Sequence, residues 1–145
     1  MAEACLAHLG GNRFRAFSCG RPSSIGDEPS PWALMALRTA GVSPDGLRCK
    51  PWTEFTRSGA PKMDFVISLD EETWDAQPLW LGQPETALWA YPALKAKRKD
   101  TAKLGLKTLH TLHSLRLRVE LLVNLHSKLT RRSDLRHDLR DLAFL

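Results

Sequence analysis

Residues 64–76 read Asp64-Phe-Val-Ile-Ser-Leu-Asp-Glu-Glu-Thr-Trp-Asp-Ala76, and this stretch decides the fold class. Phe65 to Leu69 is a short, nearly continuous apolar run, the pattern of a strand buried on both faces of a parallel sheet. The acidic residues after it complement the positive end of a helix dipole, so a short helix is expected from Asp70 to Ala76. A strand that passes directly into a helix is the repeating unit of an α/β domain.

Working outward, Thr86-Ala-Leu-Trp89 reads as a weaker strand that ends at Tyr91-Pro92. From Lys103 to Leu125 apolar residues return at helical spacing, with Leu106, Leu109, Leu112 or Leu115, Val119 and Leu122 on one stripe. Leu129, Leu135, Leu139 and Leu142 mark a terminal helix beyond a hinge near His126-Ser127. Upstream, Ala2 to Leu9 reads as a helix stopped by Gly10-Gly11. Arg13 to Ser18 alternates polar and apolar residues as a short strand does. Ser30-Pro31 opens a helix with Trp32 to Ala40 as its body, and Gly41 closes it. The expected architecture is a three-layer α/β sandwich with a small, mainly parallel sheet and long C-terminal helices. Residues 1–125 form the expected domain and 126–145 a helical extension.

The 145 residues, 43% hydrophobic and 26% charged, suit one globular domain and exclude a disordered or collagen-like chain. No apolar run approaches the roughly 20 residues of a membrane span, and Met1 to Gly10 lacks the basic head of a secretory signal. Three widely spaced cysteines without a C-x-x-C pair argue against a disulfide scaffold or a cysteine zinc site, and fit a reducing cytoplasm. Charge is uneven. Residues 1–94 carry 8 Lys and Arg against 11 Asp and Glu, whereas residues 95–145 carry 13 against 5. Such a basic tail raises the question of nucleic acid, but no recognition motif or interleaved aromatic set accompanies it. Solvated faces of amphipathic helices account for the charge, and no nucleic-acid partner is expected.

Several stretches together resemble a known family. Met1-Ala-Glu-Ala-Cys-Leu-Ala-His-Leu-Gly-Gly, Phe14-Arg-Ala-Phe-Ser-Cys-Gly, Pro31 with Ala40-Gly-Val, and Gly46-Leu-Arg-Cys-Lys resemble the low-molecular-weight protein tyrosine phosphatase and thioredoxin-coupled arsenate reductase superfamily. Asp64-Phe-Val-Ile-Ser-Leu, Trp80-Leu-Gly-Gln-Pro-Glu-Thr-Ala-Leu-Trp-Ala-Tyr-Pro and Arg118-Val-Glu-Leu-Leu-Val-Asn-Leu are similar to its arsenate-reductase branch. The resemblance implies a four-stranded parallel sheet flanked by helices. It also implies a catalytic Cys-x5-Arg-Ser/Thr loop, in which backbone N–H groups and a helix N-terminus cradle an oxyanion and favour the attacking thiolate. In the family, the counterpart of Met1-Ala-Glu-Ala follows that loop, so the first strand, nucleophile and arginine are expected upstream of Met1. That first strand would lie mid-sheet, between Phe14–Ser18 and Phe65–Leu69.

Two departures concern the chemistry. The family's Asp-Pro acid is replaced by Tyr91-Pro92-Ala93, leaving Glu85 and Asp100 as the nearest carboxylates. The segment from Ser68 to Pro78 has no resolving cysteines, so an internal disulfide relay is not expected. The chain is therefore expected to be inactive as given, with cysteine-thiolate chemistry, and a thioredoxin or other thiol reductant as partner, confined to a longer form. The alternative is a non-catalytic interaction module of the same fold that binds an acidic partner through its basic C-terminal helices. A sheet opened by a missing strand is expected to favour a homodimer.

Other groups have structural readings. Cys5 suits a small buried filler in a helix, and neither Cys19 nor Cys49 has an arginine spaced to close an anion loop. Asp70, Glu71, Glu72 and Asp75 stand at the carboxyl end of a strand, where acid–base work or magnesium is conceivable, but helix-dipole complements are commoner. His110 and His113 could share a metal, yet no third ligand stands beside them in the sequence. Trp80 and Trp89 could wall a pocket, although core anchoring is the usual role of tryptophan. No catalytic residue, cofactor ligand or metal ligand is assigned, and no cofactor is expected.

Overall fold

The computed structural model describes residues 1–95, 101–126 and 131–145. In chain order these form α1 (Ala2–Gly10), α2 (Pro31–Thr39), β1 (Phe65–Ser68), α3 (Glu71–Ala76), β2 (Glu85–Leu88), α4 (Thr101–Leu125) and α5 (Arg132–Leu142), with single 3-10 turns at Gly11–Arg13 and Trp52–Phe55. Helix and strand are mixed, and the described sheet is β1 and β2 alone, paired in parallel. No described helix is long and apolar enough to cross a membrane. Contacts gather the chain into two units, one holding α1, α2 and α4, the other β1, α3, β2 and α5.

In the first unit, α1 and α2 pack on α4. Helix α1 ends where Gly11 adopts φ +54°, a conformation that a side chain would strain. Helix α2 begins with Pro31 in its first turn. It ends in a Schellman motif: Gly41 takes φ +73°, Gly41 N–H bonds Arg38 O at 3.1 Å, and Val42 N–H bonds Leu37 O at 2.9 Å. The Arg116 guanidinium of α4 donates to Ala40 O at 3.0 Å, placing a cation at the negative end of α2. A methyl group at Gly105 would stand 3.4 Å from the Trp32 ring, an ordinary contact, so α4 lies against the Trp32 ring of α2 there.

The inward stripe of α4 differs from the expected one. Leu112, Leu115, Val119 and Leu122 are buried as expected, but Leu106 is 59% exposed and Leu109 only half-buried. Leu104 and Thr108 occupy the inner face instead, continuing the spacing of three and four residues. A count of apolar residues passes over Thr108. Its hydroxyl donates to Leu104 O at 2.7 Å, which satisfies the group where it is buried.

In the second unit, β1 and β2 pair from Phe65↔Glu85 to Ser68↔Leu88. The ladder continues outside them through Glu85 N–H to Asp64 O, Trp89 N–H to Ser68 O and Tyr91 N–H to Leu69 O. Helix α3 packs on β1 and α5 on β2. Asp70 caps α3, accepting from Thr73 N–H at 2.7 Å and from the Thr73 hydroxyl at 2.8 Å. The Trp89 indole N–H donates to Leu139 O of α5 at 2.8 Å. Two strand expectations are corrected. Phe65, Val66 and Ile67 are half-buried rather than enclosed on both faces, because a strand with a single ladder partner is less covered than one in mid-sheet. Residues 14–18 form no strand, although Phe14 is extended, and the parallel bridge that follows them in sequence is Gly20↔Pro51. Alternation alone does not make a strand without a neighbour to bond.

The terminal helix expected beyond residue 127 is α5, with Leu139 and Leu142 buried. Ser127 of the expected hinge, and Leu129, lie outside the described residues.

Candidate functional site

In a parallel α/β sheet, ligands meet the carboxyl ends of the strands. Here that end holds Leu69-Asp70 after β1 and Trp89-Ala90-Tyr91 after β2. Asp70 is occupied as the cap of α3, with both carboxylate oxygens bonded to Thr73. Glu71 and Glu72 lie in the first turn, where they complement the dipole, and Glu72 also sits 3.9 Å from Arg21. Among the described residues no three His, Cys, Asp or Glu side chains gather in a way that could hold a metal ion.

Cys5 is buried in the body of α1, and burial pushes its thiol above its ordinary pKa, a rise that the positive chain terminus and Arg116 only partly oppose. Cys19 is exposed as a residue, yet loss of water around its sulfur pushes the thiol up to about 11, with Lys50 acting to lower it and Glu54 to raise it. Cys49 is half-buried in the polar connection before Lys50. The thiolate is the reactive form, so iodoacetamide should label Cys19 slowly at neutral pH and markedly faster as the pH approaches 11. Cys5 should stay unlabelled until the chain unfolds. Peptide mapping over a pH series tests both, and rapid neutral labelling of Cys19 would contradict the first.

Glu85 is not placed as a general acid. The Arg136 guanidinium donates to its two carboxylate oxygens at 2.7 and 3.0 Å, and Arg132 lies 3.7 Å away. These hydrogen bonds hold the Glu85 carboxyl below its ordinary value of 4.5, against the opposing effect of burial. A group kept ionised in this way has no proton to give at neutral pH. Because the folded value lies below the unfolded one, the pair's stabilisation is complete above pH 4.5 and lost as the pH falls through the lowered value. The stability gap between the wild-type chain and Glu85→Gln should therefore be widest above pH 4.5 and close on acidification. Urea midpoints across the pH range measure it, and a gap that persists at low pH would contradict the assignment.

The other candidates disperse. Asp100 lies outside the described residues. His110 and His113 are exposed on α4. Trp89 is a core anchor, and the half-buried Trp80 donates to Gln77 Oε1 at 3.0 Å, so the two rings have separate tasks. The basic tail is partly spent inside the units: Arg116 caps α2, Arg118 is buried, and Arg132 and Arg136 serve Glu85, with Arg132 also donating to Gln83 O. An open cleft of about 490 Å³ bordered by Leu34, Pro44 and Leu47 takes in none of the cysteines, histidines or tryptophans weighed above, nor the acidic residues 70–75 or Glu85.

The charge cluster around Glu85 escaped the sequence reading. A signal for it existed in the spacing of Arg132, Arg136 and Arg140, which sets three guanidiniums on one side of α5, but nothing in sequence order tied that side to β2. No family model matches the chain, and no curated protein matches it.

Proposed function

We propose that these residues are the scaffold of a low-molecular-weight tyrosine phosphatase or arsenate reductase, a three-layer α/β sandwich, and that they do not themselves perform its thiolate chemistry. Likeness in sequence order, from Met1-Ala-Glu-Ala to Arg118-Val-Glu-Leu, supports the family. The parallel pairing of β1 and β2, each covered by a helix, is compatible with it.

The state of the thiols carries the second half of the proposal. Attack on phosphorus or arsenic requires a thiolate, held so by backbone N–H groups, a helix N-terminus and an arginine fork. Cys5 and Cys19 meet the reverse condition, since loss of water around the sulfur favours the neutral thiol in both. With a value of about 11, Cys19 is held as the neutral thiol at pH 7. Of the two carboxylates nearest the family's acid position, Glu85 is bound to two arginines rather than free to protonate a leaving oxygen, and Asp100 lies outside the described residues.

Purified chain is expected to show no thiol-dependent hydrolysis of p-nitrophenyl phosphate and no reduction of arsenate in the presence of a thiol reductant. Turnover that disappears in Cys5→Ser or Cys19→Ser would overturn the proposal. Reading the coding frame ahead of the Met1 codon separates the family reading from its alternative: an in-frame Cys-x5-Arg-Ser/Thr pattern supports an enzyme, an early stop a non-catalytic relative.

A further inference from the structure

We draw no further inference here: the strongest candidate, the outward stripe of α4 formed by Leu106, His110, His113 and Leu117, is an unpartnered helix face, and nothing in the structure shows what covers it.

Discussion

Leu112→Ala is expected to lower the unfolding free energy by about 2–5 kcal/mol, the usual cost of deleting a fully enclosed leucine. Leu112 has no exposed surface, and it lies mid-way along α4, the helix on which α1 and α2 both pack. Truncation removes apolar surface from that core and leaves a cavity that the surrounding helices fill only in part. The matched control is Leu106→Ala on the same helix. Leu106 is 59% exposed, so its truncation should change stability by no more than about 0.5 kcal/mol. Urea titrations followed by circular dichroism compare the two. Equal losses would mean that the inward face of α4 is not the one described.

Trp89 should be the most sensitive position of the second unit. Trp89→Ala is expected to cost about 3–5 kcal/mol, because a buried indole is replaced by a void. Trp89→Phe separates the hydrogen bond from the packing. Leu139 is the fourth residue from the end of α5, so its carbonyl is among those that helix geometry leaves without an internal donor. The indole N–H supplies that donor at 2.8 Å. Phenylalanine keeps much of the ring but leaves a carbonyl on a fully buried residue unsatisfied, at a cost of about 1–3 kcal/mol. Hydrogen exchange offers a local readout: amides of α5 should lose protection in Trp89→Phe before those of α4. A uniform loss across both helices would count against the Trp89–Leu139 bond as a local tie.

Local sequence was a sound guide wherever neighbours in the chain do the work. Asp70 caps α3 through Thr73, Pro31 starts α2, and Gly41 ends it, each within a few residues. It was a poor guide where a partner comes from far along the chain. Residues 14–18 alternate well but find no ladder partner, whereas residues 85–88, a weaker pattern, form β2 because residues 65–68 lie alongside. At the candidate site, the absence of an anion-loop arginine beside any cysteine was legible, but the protonation of Cys19 was not. Nothing in the order Ser-Cys-Gly announces the loss of water around its sulfur or the charges of residues 50 and 54 that act on it.

From sequence alone came the mixing of helix and strand, the positions of α1 to α5 to within a few residues, and the parallel sense of the described pair of strands. Periodicity, caps and glycine stops are short-range properties, carried by the order of residues. Tertiary structure alone decided that Leu104 and Thr108 rather than Leu106 continue the buried face of α4, that Glu85 is an ion-pair partner rather than an acid, and that Trp89 ties α5 to the sheet. These depend on contacts between residues some 50 positions apart, as in Trp89 with Leu139 and Glu85 with Arg136, and on the loss of water that accompanies them.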